Sequence, residues 1–221
     1  MGLTKYSFIL IQNVGNRGVN FDIHSTVTSS GTVHTGVASI TVDTRTGDNL
    51  ITVIPGANHH LSIQDVHSAM EMIKPTIVLV QLEIPLNVAF EALKMGHQQG
   101  ALTILNPAPA PKDPKILSNV LPFVDILVPN ESELKTLYST CLEPQVVDSD
   151  SSVVNEETMA SRLLAMGLGK AVIVTLGARG ALVVSRSPGE SSKYLVSHVN
   201  ASPDLPCSKE PVIDTIGKYK F

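Results

Sequence analysis

The sequence predicts an α/β domain: a mostly parallel sheet flanked by helices, with an antiparallel hairpin ahead of it. Three observations carry this. Between Ser62 and Leu176, stretches with helical spacing alternate with short apolar runs, the β-α-β-α-β grammar that lays parallel strands side by side. The apolar runs, TIVLVQL at Thr76–Leu82 and AVIVTL at Ala171–Leu176 among them, are nearly continuous, as in strands covered on both faces. Ahead of them, Val33–Val42 and Leu50–Val53 alternate apolar and polar residues around the turn-rich Asp43–Asn49, the pattern of a hairpin.

Each element follows from its residues. Ser62 is an N-cap for a helix over Ser62–Ile73, whose Ile63, Val66, Ala69, Met70 and Ile73 share one face. After the strand Thr76–Leu82, helical spacing returns over Leu86–Gln99 and stops at Gly100, a good residue for a left-handed helix end. Ala101–Leu105 is a short strand. Asn106–Pro114 (NPAPAPKDP) contains prolines that remove donors and fix φ, so it reads as a surface loop rather than a helix or central strand. Val124–Val128 is a strand, and Asn130-Glu131-Ser132-Glu133 opens a helix. Glu143–Asn155 is polar and Asp/Ser-rich, Glu156–Met166 is helical, and Ala181–Ser185 and Tyr194–His198 are strands separated by a turn at Ser187–Ser192.

Composition narrows the function classes. The chain has 221 residues, enough for one domain and a small appendage, and no internal repeat is visible. At 43% hydrophobic and 16% charged it is not a disordered chain. A net charge of −4, with 4% aromatics and no Trp, argues against nucleic acid as a partner. No apolar run is long enough for a membrane span, and Ser7–Ile11 (SFILI) is too short for a signal-peptide core. Cys141 and Cys207 lack metal-ligand spacing and sit in polar surroundings, so a reducing, cytoplasmic setting, extending to the nucleus, is expected. His59-His60 has no third ligand at helical or turn spacing, and no metal site is expected there.

Ligands of parallel sheets bind beyond the carboxyl ends of the strands, and four such ends carry unusual residues. Glu83, in Gln81-Leu82-Glu83-Ile84-Pro85, is placed to accept hydrogen bonds from a hydroxylated ligand; the plainer reading is a solvated turn residue. Asn106-Pro107-Ala108-Pro109 makes a rigid loop. Asn130 and Glu133 have capping-box spacing, and beside a helix N-terminus they also suit a hydrated Mg2+ near phosphates. Thr175-Leu176-Gly177-Ala178-Arg179-Gly180 puts two glycines directly after a buried strand, where backbone N–H groups can approach an anion; the plainer reading is a β-turn. Neither a Walker A loop nor a dinucleotide-binding fingerprint is present.

The order of these landmarks, with Thr35-Gly36-Val37-Ala38, Pro55-Gly56-Ala57-Asn58 and Asp214-Thr215-Ile216-Gly217, resembles the ribokinase-like carbohydrate kinase family over about Gly18 to Gly217. The resemblance implies ATP-dependent phosphorylation of a sugar, with D-ribose the first choice and ribose 5-phosphate the product. It implies that Glu83 touches the sugar. Asn130, Thr175, Leu176, Gly177, Ala178, Arg179 and Gly180 would line the nucleotide, Glu133 would organise Mg2+ through water, and Asp214 and Ile216 would serve K+, an activating monovalent cation. The hairpin would belong to a sugar lid that also supports a homodimer. Alternatives are a catalytically inactive fragment that binds nucleotide or a partner, and a relative of adenosine or fructose kinases.

The pattern also breaks. In the family Asp-Thr-x-Gly continues as Ala-Gly-Asp, whose final Asp is the general base, whereas here Gly217 is followed by Lys218-Tyr219-Lys220-Phe221. The expected base is therefore absent after Gly217, and impaired phosphoryl transfer is expected. The family's opening strand and Gly-Gly-Lys-Gly-Ala-x-Asn sugar motif have no match near Asn13-Val14-Gly15-Asn16. The chain thus reads as an incomplete family member, truncated at both ends: residues 1–20 an atypical N-terminal segment, 21–217 a partial kinase domain with a lid-like hairpin at 31–55, and 218–221 a tail outside the family pattern. Gly217-Lys218-Tyr219 can be encoded by a run containing GGTAAGTA, the consensus start of a eukaryotic intron, so read-through at an exon boundary is the expected origin of the tail.

Overall fold

The structure is a computed structural model that describes residues 33, 35–46, 49–111, 113–141, 154–187 and 190–200. Asp214 and Ile216, the sequence Asn13–Asn16 and most of Glu143–Asn155 lie outside the described residues. The chain divides into two compact units. Of the described residues, the first unit holds those up to Asp65 together with Glu83–Pro85, and the second holds Val66–Leu82 and those from Leu86 onward.

The first unit contains the hairpin. β1 (Val37–Val42) pairs antiparallel with β2 (Asn49–Ile54), in register from Val37 opposite Ile54 to Val42 opposite Asn49. The turn begins at Asp43, whose Oδ1 accepts a 2.8 Å bond from the Arg45 N–H. Gly36 is required at the open end: a Cβ there would lie 2.6 Å from the Pro55 carbonyl oxygen. Both strands are exposed throughout, Leu50 and Ile54 by 70% and 65%.

In the second unit six strands stand in chain order: β3 (Ile77–Gln81), β4 (Leu102–Asn106), β5 (Ile126–Leu127), β6 (Ala171–Thr175), β7 (Ala181–Ser187) and β8 (Glu190–Val199). β3 to β6 run parallel, and β6 to β8 form an antiparallel meander. The expected architecture, a mostly parallel sheet with a hairpin outside it, is therefore present. The helices are α1 (Ile63–Ile73), α2 (Leu86–Gln98), α3 (Pro114–Ser118), α4 (Glu131–Cys141) and α5 (Glu156–Ala165). Ser62 caps α1 as its sequence predicts. Its hydroxyl accepts from the Asp65 N–H at 3.2 Å, and Asp65 Oδ2 accepts from the Ser62 N–H at 2.8 Å.

The core is aliphatic. Leu93 of α2, Leu105 of β4, Leu127 of β5, Leu134 of α4 and Leu164 of α5 are all fully buried. Helix α2 lies close on the sheet because Gly96 has no side chain; a Cβ there would stand 2.8 Å from Val78 Cγ2. At the amino ends of the strands a polar network runs from the buried Thr103 through the nearly buried Asp125 to the exposed Lys170. Thr103 donates its N–H to Asp125 Oδ2 at 3.0 Å and its hydroxyl to the Phe123 carbonyl at 2.7 Å, while Lys170 Nζ pairs with Asp125 Oδ1 at 3.3 Å. Burial works against the Asp125 charge, but the Thr103 N–H and Lys170 outweigh it and hold the carboxyl below its ordinary pKa.

Several expectations change, among them the turn expected over Ser187–Ser192, into which β8 reaches back to Glu190. β3 is covered on one face only among the described residues: Val78 and Val80 are buried, whereas Ile77 and Leu79 on the other face are 57% and 67% exposed. On α1 only Met70 of the expected apolar face is buried, and Ile73 is exposed. Of the proline-rich stretch, Asn106 ends β4, residues 107–111 form a loop, and Pro114 opens α3, where its missing N–H and fixed φ cost nothing.

Candidate functional site

The carboxyl ends of β5 and β6 bring most of the candidate residues together. Just past these strands Asn130 and Thr175 form a parallel bridge, and the Thr175 N–H donates to the Pro129 carbonyl at 2.9 Å. Asn130 caps α4. Its Oδ1 accepts from the Glu133 N–H and from the Ser132 hydroxyl, each at 2.8 Å, while Glu133 Oε2 accepts from the Asn130 N–H at 2.8 Å. The capping box weighed as the plainer reading is thus formed. One Glu133 oxygen holds the helix start, and the carboxylate stays beside the positive end of the helix dipole.

The turn after β6 is built by its glycines. Leu176 is buried and anchors the turn, its N–H donating to the Gly180 carbonyl at 2.8 Å. Gly177–Arg179 makes one 3-10 turn, closed by the Gly180 N–H on the Gly177 carbonyl at 3.0 Å. Gly177 has φ 56° and Gly180 φ 86° with ψ −127°, conformations that exclude or penalise a side chain. Gly177, Ala178 and Arg179 are exposed, so this backbone faces solvent beside Asn130 rather than filling the core.

Arg179 crosses from this turn to two helix starts. Its Nη2 lies 2.5 Å from Glu131 Oε1, in the first turn of α4, and 2.9 Å from Glu156 Oε1, in the first turn of α5. The hydrogen bond from Arg179 holds the Glu156 carboxyl below its ordinary pKa, and the same bond, with the charge of Glu131, raises that of the guanidinium. Helix α5 is fixed at its start by Asn155, whose Oδ1 accepts from the Thr158 N–H at 2.9 Å. Glu131 and Glu156 carried no signal in the sequence. They lie 48 and 23 positions from Arg179, and no local spacing joins them.

Glu83 is exposed and belongs to the first unit, with the hairpin. Among the described residues no three His, Cys, Asp or Glu side chains converge as a metal cage. A groove lined by Met70, Glu71, Lys74, Pro75 and Gln99 lies at the amino ends of β3 and β4, whereas Asn130 and Gly177 lie at the carboxyl ends of β5 and β6. Among the described residues no helix is long and apolar enough to cross a membrane.

Strand order, hairpin and strand-end turn define a ribokinase-like α/β fold. The profile of the pfkB family carbohydrate kinases matches residues 5–217, and the chain belongs to that family. It is 33% identical to the ribokinase of Schizosaccharomyces pombe, over 91% of this chain and 59% of that one. The ribokinase of Dictyostelium discoideum is also 33% identical, over 94% of this chain and 62% of its own length. The solved structure of Arabidopsis thaliana ribokinase, complexed with ribose and ATP, superposes with TM-score 0.55 at 26% identity, covering 76% of this chain and 49% of that one. The chain thus spans about three fifths of the length of these two curated relatives.

Proposed function

We propose that the chain serves ATP-dependent phosphorylation of a sugar, D-ribose to ribose 5-phosphate, with the nucleotide held at the carboxyl ends of β5 and β6. The observation that carries this reading is the convergence of Asn130, Thr175 and the exposed Gly177–Gly180 turn on adjacent strand ends. Exposed backbone at positive φ beside a helix N-terminus suits phosphate oxygens. The names of the relatives support ribose as the sugar.

In this reading Thr175 to Gly180 and Asn130 bind the nucleotide, and Glu83 accepts hydrogen bonds from sugar hydroxyls. Glu133 would orient the water shell of Mg2+, which when bound neutralises charge on the phosphates; a half-buried carboxylate beside a helix start fits that role. Asp214 and Ile216 would offer oxygens to K+. Transfer would rest on positioning and electrostatic stabilisation rather than on covalent chemistry with the protein. The 31–55 hairpin would act as a lid over the sugar and a surface for a second copy.

The test is a coupled assay of ADP release with D-ribose, fructose or adenosine, run on this chain and on one continued past Gly217 with the family's Ala-Gly-Asp. ADP release that depends on D-ribose supports the reading. Release that depends on fructose or adenosine transfers it to another sugar or nucleoside. No sugar-dependent release from either chain overturns it.

A further inference from the structure

We propose that Glu156 is a positioning residue for the nucleotide turn, acting through Arg179 and jointly with Glu131; this rests on the nucleotide reading above. Gly177 to Arg179 are exposed, and among the described residues the turn's backbone is held only by its own bonds between Leu176 and Gly180, with two glycines that can leave this conformation readily. Without a tether such a turn samples several conformations, and a ligand that needs one of them loses affinity in ordering it. Arg179 supplies the tether. One guanidinium nitrogen bridges Glu131 Oε1 at 2.5 Å and Glu156 Oε1 at 2.9 Å. Both acids stand in the first turns of capped helices, α4 by Asn130 and α5 by Asn155, so the far ends of the tether are rigid. The turn is thereby tied to two helix starts as well as to its own strand.

Charge makes the proposal sharp. Glu131 and Glu156 are negative and close to a turn assigned to an anionic ligand. If they acted on the phosphates directly, removing one would strengthen binding. If Glu156 acts by holding Arg179, removing it weakens binding, and removing it after Arg179 is gone changes nothing. The sign of the effect and its dependence on Arg179 separate the two roles, and neither is moved by a merely structural contribution of α5.

Calorimetry with MgATP on the full chain and on Glu156→Gln, Arg179→Gln and the double variant provides the test. Glu156→Gln is expected to weaken binding by about twofold to fivefold, the size of one exposed charge pair, with no further loss when it is added to Arg179→Gln. NMR order parameters of the Gly177–Gly180 amides, measured without nucleotide, are expected to fall in Glu156→Gln. Tighter or unchanged binding, an additive double variant, or unchanged order parameters overturns the proposal. A wild-type chain that binds no MgATP overturns the nucleotide reading instead, and the order parameters then decide the tether alone.

Discussion

Two charged networks sit at opposite ends of the same pair of strands, β5 and β6. At the amino ends, Asp125 is 13% exposed and meets Thr103, itself fully buried, and Lys170, which is 63% exposed. At the carboxyl ends, Arg179, Glu131 and Glu156 are 57%, 37% and 25% exposed and join a turn to two helix starts. The first network satisfies buried backbone and belongs to folding. The second crosses an open surface, where ion pairs contribute little to stability, and its value lies in which backbone it holds still. Equivalent residue types thus meet different partners at the two ends: a nearly buried carboxylate satisfies the backbone of a buried threonine at one, and an arginine ties an exposed turn to two helix starts at the other.

The largest expected effect falls on the buried side. Asp125→Ala leaves the Thr103 N–H without its acceptor and should destabilise the protein by about 2–3 kcal/mol, read as a lower denaturant midpoint with an unchanged slope. Because the folded state depresses the Asp125 pKa, the unfolded chain binds more protons around that range. The contribution of Asp125 is therefore complete above the ordinary carboxylate pKa and is lost as pH falls through the folded value. A flattened acid limb in Asp125→Asn checks this.

Next comes the turn. Gly180→Ala forces a side chain into φ 86°, ψ −127° and should cost about 1–3 kcal/mol, measured by thermal unfolding, together with a larger loss of MgATP affinity than Asp125→Asn produces. The smallest stability effect is that of Asn130→Ala, about 1 kcal/mol from the lost helix cap. Asn130→Asp restores the cap and places a negative charge at the strand end. If Asn130 lines the nucleotide, its stability returns to wild type while MgATP binding stays weak; if both recover, Asn130 is only a cap.

Much of this was legible in the sequence because it is local. Period-two alternation around Asp43–Asn49 and the apolar runs at Ile77–Gln81 and Ala171–Thr175 each reflect neighbours along one strand. The cap at Ser62 and the capping pair Asn130–Glu133, three residues apart, close on their own helix starts. What the sequence hid is non-local. Exposure of Ile77 and Leu79 depends on what lies against β3, which an apolar run does not state. Pro114 looks like the end of a loop until a helix begins on it. The partners of Arg179 come from two other helices, and only the fold brings them within hydrogen-bond reach. β5 is shorter than its apolar run, Ile126–Leu127 within Val124–Val128, although the Asp125 and Val128 N–H groups still donate to the Thr103 and Leu105 carbonyls.

The central claim is that nucleotide binds at the carboxyl ends of β5 and β6. Its most direct test is a backbone amide NMR titration of the chain with MgATP. The expected footprint covers Asn130 and Thr175 to Gly180 and spares Thr103, Asp125 and Lys170. Shifts confined to the Met70–Pro75 groove at the amino ends, or no shifts at all, would contradict it.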